Sequence, residues 1–288
     1  MKLFLRDCIM VVIAIGLMFM LLPRAPEYNS NIGYKHHYVV HHGAQIKTLI
    51  MGHSHFENGL NPHQLGDSAF NLSSAGRPFY YDIEILRQYL PQMPNVKTII
   101  YPLRYRLSDN DFFKERFRQG LFEDYYLNWN LQPPPEYADC FKRPIRWIPH
   151  YRKYQSDHFN VDSLGYVIDW STPQTMSEIE THILTTQSED TAVIRYLEEV
   201  SKICENNGIR LIVLAAPQSN LFLDHVTEAG VNRMDAVISE VCKNHHILYH
   251  NYMYDLDFRD DTLYRDWTHL NHTGATLFAQ RVREDFNL

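Results

Sequence analysis

Cysteine is scarce in this chain: four residues in 288, no Cys-x-x-C spacing, and one of the four, Cys8, inside an apolar run. That excludes a disulfide scaffold and a zinc ribbon, and leaves at most one bridge among Cys140, Cys204 and Cys242, which spacing cannot choose. An excess of positive charge is also missing. With 27 basic against 34 acidic residues and a formal net charge of -7, the chain has no general attraction for nucleic acid. No His-Glu-x-x-His occurs, and the pairs His36-His37, His41-His42 and His245-His246 lack the spacing of a zinc-binding helix, so the sixteen His imply no metal. Repeats and low-complexity tracts are absent. With 45% hydrophobic and 21% charged residues, wholesale disorder and collagen-like or coiled-coil architectures are excluded, and a globular protein with a substantial core fits.

Long apolar runs are limited to one, from Cys8 to Leu22, with Lys2 and Arg6 before it and Pro23-Arg24 after. The run is shorter than the roughly 20 residues that span a bilayer, but Leu3, Phe4 and Leu5 extend it if Arg6 snorkels. A small-x-small cleavage site is hard to find, because Ala25 has Pro23 two residues before it and Pro26 after it. The expectation is an uncleaved anchor, a single transmembrane helix, over residues 1–23, with a cleaved signal or a buried core helix as alternatives. Positive residues before the run place the amino terminus inside and the remaining chain outside the cytoplasmic membrane, periplasmic or extracellular. Residues 24–45 are polar and irregular and read as a stalk.

From residue 46 to 288 the pattern is regular. Short β-rich runs at Ile46–Met51, Ala69–Leu72, Val96–Tyr101, Ile209–Ala216 and Ile247–Tyr252 alternate with helical spacing at Phe79–Leu90, from near Ser188 to Gly208, at Val231–Lys243 and at Thr273–Phe286. Such alternation predicts an α/β fold, a five-stranded parallel sheet covered on both sides. The segment 104–187 breaks the alternation. It is rich in Tyr, Trp, Pro and Arg and reads as an insertion packed over one edge of the sheet. Within it, Lys142 to Lys153 holds five basic residues and no acidic ones around Trp147 and Tyr151, an ordinary solvated surface or a site for an anionic polymer or lipid headgroups.

Two short blocks carry chemistry. The first strand runs into Gly52-His53-Ser54-His55, which puts a hydroxyl just past a glycine turn, at the sheet edge where ligands bind in open α/β folds. Asp266-Trp267-Thr268-His269 stands ahead of the last helix. An Asp three residues before a His can take its Nδ1 proton and leave Nε2 as a base for a hydroxyl.

On Gly52-His53-Ser54-His55, Asn71-Leu72-Ser73-Ser74-Ala75-Gly76 and Asp266-x-x-His269, the chain resembles the SGNH (GDSL-like) hydrolase superfamily, especially membrane-anchored members that act on acyl groups of cell-surface polymers. The resemblance implies a three-layer α/β/α, flavodoxin-like SGNH fold. It also implies a Ser-His-Asp triad of Ser54, His269 and Asp266, with the N–H groups of Ser54 and Gly76 facing the oxyanion. Two departures stand out. His53 replaces the usual Asp before the serine, and the Gly-x-Asn-Asp block is absent, since strand three runs into Tyr101-Pro102-Leu103-Arg104. The side-chain oxyanion donor is then unassigned, with Arg104 and Asn71 as candidates, and His55 is a candidate substrate contact. The expected activity is a serine esterase or O-acyltransferase that needs no cofactor and acts on an acyl group, acetyl first, of a surface glycan or small ester. Its partners would be the cytoplasmic membrane and a glycan-assembly or acyltransferase protein, not nucleic acid. The competing class is a degenerate SGNH-like glycan-binding or scaffold protein.

Overall fold

The computed structural model describes residues 10–13, 30–66, 68–103, 119–135, 138, 160–168, 192–224 and 226–288. Apart from residues 10–13, the apolar run expected to form the anchor lies outside them, as do Arg104 and the Lys142–Lys153 segment. Among the described residues no helix is long and apolar enough to cross a membrane.

The described residues hold five strands: β1 (Thr48–Ile50), β2 (Ala69–Asn71), β3 (Thr98–Pro102), β4 (Arg210–Ala215) and β5 (Leu248–Asn251). They form one parallel sheet in the order β2-β1-β3-β4-β5, the flavodoxin-like arrangement. Side chains alternate across it. Leu49, Phe70, Ile99, Leu211 and Val213 face one core, and Ile50, Ala69, Ile100, Ile212 and Leu214 face the other, which is why these strands read as continuous apolar runs.

The helices that pack into the first core include α3 (Phe79–Tyr89), α5 (Ala192–Asn206) and α7 (Glu228–Asn244). In α5, Val193, Leu197, Val200 and Cys204 are buried at spacings of three and four, and each such side chain taken from water contributes about 1.5 to 3 kcal/mol. Gly208, at φ +63°, ends the helix turn, and the Ile209 N–H returns to the Cys204 carbonyl at 2.9 Å. On the opposite face α8 (His272–Phe286) buries Phe278, Ala279 and Val282. Cys204 and Cys242 are buried free thiols, both pushed up to about 12 by burial, so no bridge joins them; Cys140 is outside the described residues.

The stalk expected over residues 24–45 is corrected for its second half. Residues Asn31–His42 form a helix, α1, capped by Ser30, whose hydroxyl accepts the Gly33 N–H at 3.0 Å. Val39 and Lys35 are buried, and Tyr38 stacks on Phe70 with ring centroids 4.0 Å apart. The helix packs through aromatic and mixed side chains, which obscures the aliphatic periodicity that exposes helices in sequence.

Two parts of the 104–187 segment are described. Helix α4 (Gln119–Trp129) sends Tyr125 onto Tyr81 at 4.1 Å between centroids, and its Trp129 Nε1 donates to the Ile32 carbonyl at 3.2 Å. Residues 160–168 fold back through a Val161–Val167 bridge, and at their turn the Leu164 carbonyl accepts the Asn71 N–H of β2 at 2.8 Å. This satisfies a donor on an edge strand that would otherwise face solvent.

Candidate active site

The carboxyl ends of the strands supply the site. β1 leaves the sheet through Gly52, whose φ of +111° suits only glycine; a Cβ there would stand 2.1 Å from the Pro102 ring. Strand three therefore closes over the turn that presents the serine. Ser54 then opens a one-turn helix, α2 (Ser54–Glu57). At its first turn the Ser54 N–H is one of the donors that the helix cannot satisfy itself.

His269 arrives from a loop built by its own short side chains. The Asp266 carboxylate accepts the N–H groups of Thr268 and His269 at 2.9 and 2.8 Å, and the Arg265 N–H donates to the His269 carbonyl at 2.9 Å. Tyr264 and Leu270 pair as an antiparallel bridge at the base of the loop. Asn271 then caps α8 by accepting the Gly274 N–H at 3.1 Å. From the β4 side, the Ser219 hydroxyl donates to the Trp267 carbonyl at 2.5 Å and the Thr268 hydroxyl donates to Gln218 at 2.9 Å.

The result joins residues more than two hundred positions apart. Ser54 Oγ stands 2.8 Å from His269 Nε2, and His269 Nδ1 stands 2.9 and 3.0 Å from the two Asp266 oxygens. Burial pushes the Asp266 carboxyl up, but hydrogen bonds from His269 and from the Thr268 and His269 N–H groups more than offset it and hold the group well below the usual carboxylate range. An ionised carboxylate only accepts, so His269 Nδ1 donates. In a neutral ring Nε2 is then the acceptor for the Ser54 proton. Side-chain exposures of 18% for His269 and 16% for Asp266 leave the arrangement reachable from solvent.

The other expected site residues divide. Gly76 lies in the turn after β2 at φ +69°. His55 lies beside the reacting pair, its ring tilted over His269 at 4.6 Å and its Nε2 2.7 Å from the Thr268 hydroxyl. Since Thr268 donates to Gln218, it accepts from His55, which ties the β1 turn to the His269 loop. Asn71 is a correction. Its Nδ2 donates to the carbonyls of Phe56 and Leu60 at 2.7 and 3.1 Å, its Oδ1 accepts the Ser73 N–H at 3.0 Å, and the residue is fully buried. Its amide is spent on backbone and has no donor left for an oxyanion.

Four contributors have no signature in the spacing of the chain. Thr268 and Gln218 support the His269 loop. Lys35 and Glu57 support the loop that ends in Gly76: Lys35 Nζ donates to Glu57 Oε1 at 3.0 Å and to the Ser73 carbonyl, and Glu57 Oε2 accepts the Ala75 N–H at 2.6 Å.

No family model and no curated protein matches this chain. Among solved structures it is similar to a GDSL-like lipase from Bacteroides thetaiotaomicron, at 10% identity over 88% of this chain and 99% of that one with a TM-score of 0.44. It is also similar to a lipase/acylhydrolase from Enterococcus faecalis, at 11% identity over 83% and 95% with a TM-score of 0.39. A Streptococcus pneumonia protein provisionally named a platelet activating factor matches at 12% identity over 96% and 99%, with a TM-score of 0.49. These likenesses are too distant to carry an activity across, so the chemistry has to stand on the atoms of the site.

Proposed function

We propose that this chain is a serine acyl-ester hydrolase or O-acyltransferase of the SGNH (GDSL-like) kind. It works outside the cytoplasmic membrane on an acyl group, acetyl foremost, of a cell-surface glycan. The observation that carries the chemistry is the continuous path from Ser54 Oγ to His269 Nε2 and from His269 Nδ1 to Asp266. Ser54 Oγ attacks the ester carbonyl carbon while its proton passes to Nε2. The tetrahedral oxyanion is held by the N–H groups of Ser54 and Gly76. The C–O bond to the alcohol breaks, and the alcohol leaves with the proton from Nε2. Water or a sugar hydroxyl then gives its proton to Nε2 and attacks the acyl-enzyme, and the bond to Ser54 Oγ breaks as Nε2 returns that proton to the serine.

With Asn71 committed to backbone and Pro102 filling the end of strand three, the two donors proposed for the oxyanion are backbone N–H groups, and no side-chain donor is assigned. Loss of one such donor costs about 100- to 1,000-fold in turnover, so slow turnover of simple esters is expected. The extracytoplasmic setting is supported by the apolar run with Lys2 and Arg6 before it. The glycan substrate is supported only by the resemblance in the Ser54 and His269 blocks. The test is labelling with a fluorophosphonate probe, expected on the intact protein and lost in Ser54→Ala; equal labelling of both would remove the serine-enzyme reading.

A further inference from the structure

We propose that Lys35 and Glu57 form a buried positioning pair that fixes the oxyanion loop Ser73–Gly76, which makes helix α1 a working part of the site; this rests on the acyl-transfer reading above. The two residues are 1% and 5% exposed. A buried ion pair is a poor stabiliser, because desolvation of both ions cancels much of their attraction. What distinguishes this pair is where its remaining bonds go. Lys35 donates to the Ser73 carbonyl and Glu57 accepts the Ala75 N–H at 2.6 Å, so both ions end on one four-residue loop.

Other bonds hold the middle of that loop: the Arg77 N–H donates to the Ser74 carbonyl at 3.1 Å and the Ser74 side chain bonds to Tyr125. Ser74 N–H donates to the Gly52 carbonyl at 2.9 Å and Ser73 N–H to Asn71. The Ala75 N–H held by Glu57 belongs to the residue before Gly76, and Glu57 itself closes the helix that Ser54 opens. One carboxylate therefore spans the two proposed oxyanion donors and sets their separation. A lone carboxylate so near would oppose negative charge developing on the substrate oxygen. Lys35 Nζ, 3.0 Å from Glu57 Oε1, offsets that charge, which is a reason for α1 to bring a lysine to this carboxylate.

The test uses the full chain and hydrolysis of 4-nitrophenyl acetate, with Lys35→Met, Glu57→Gln and the double variant K35M/E57Q. In either single variant kcat is expected to fall about 10- to 100-fold, since a misplacement of about 1 Å costs up to about 100-fold, while KM moves by less than about threefold. Affinity for phenylboronic acid, whose serine adduct is tetrahedral, should weaken in step with kcat. The double variant should turn over several-fold faster than either single, because a neutral amide still accepts the Ala75 N–H with no unpaired charge left buried. If Lys35→Met does not fold, Glu57→Gln against the double variant decides. Singles within about threefold of the intact protein in kcat, or losses that simply multiply in the double variant, would overturn the proposal. Hydrolysis that persists in Ser54→Ala would instead overturn the acyl-transfer reading beneath it.

Discussion

The two loops that meet at Ser54 are built in opposite ways. The loop from Tyr264 to Leu270 is self-contained: Asp266 accepts N–H groups two and three residues on, and the chain closes through its own backbone. The loop from Leu72 to Arg77 borrows its shape from afar, through Asn71 to Phe56 and Leu60 and through Glu57 and Lys35 to Ala75 and Ser73. One loop carries His269, and the other ends in Gly76, whose N–H is the proposed oxyanion donor. The proton path is therefore set locally, and the electrostatic half of the site depends on tertiary packing.

The comparison breaks first at the reacting atoms. Ser54→Ala and His269→Ala should each lower turnover about 10,000-fold or more, measured as acyl release from an aryl acetate. Asp266→Asn should follow at about 1,000- to 10,000-fold, because the amide no longer enforces the tautomer that leaves Nε2 as acceptor. The same variant has a pH signature. Asp266 is held below its unfolded value of 3.8, so its contribution to stability is present above about pH 4 and is lost as pH falls toward the folded value. Acid unfolding monitored by circular dichroism should then be less steep in Asp266→Asn.

On the borrowed side the largest stability effects are expected. Gly52→Ala forces a Cβ to 2.1 Å from Pro102 at φ +111° and should cost about 1 to 3 kcal/mol in denaturant unfolding. Asn71→Ala takes the side-chain partner from the Leu60 carbonyl and the Ser73 N–H and leaves the Phe56 carbonyl with the Leu60 N–H alone, and should cost about 2 kcal/mol. If Asn71 were instead an oxyanion donor, its loss would appear in kcat with stability unchanged. At the small end, Arg87→Ala removes exposed pairs with Glu84 and Glu199 and should change stability by no more than about 0.5 kcal/mol.

The same contrast explains what could be read in the chain. Strands buried on both faces, such as Ile99-Ile100-Tyr101 in β3, announce themselves as apolar runs. Gly52-x-Ser54 and Asp266-x-x-His269 are visible because their geometry is local and their neighbours are close in sequence. Asn71 was readable only as a polar residue at a strand end, since a donor to backbone and a donor to substrate are the same residue type. Lys35 and Glu57 lie 22 positions apart and Gln218 and Thr268 lie 50 apart, and no periodicity relates them. Helix α1 escaped because Tyr, His and Lys line the side that packs, where a Leu or Val stripe would have shown.

The central claim is that Ser54 is the atom acylated. Mass spectrometry of peptides after a brief incubation with an activated acetyl ester tests it directly. The account predicts a single acetyl group on the peptide containing Ser54, prolonged in Asp266→Asn because deacylation is slowed, and absent in Ser54→Ala. An unmodified Ser54 peptide beside continuing ester hydrolysis, or the same adduct pattern in Ser54→Ala, would contradict it.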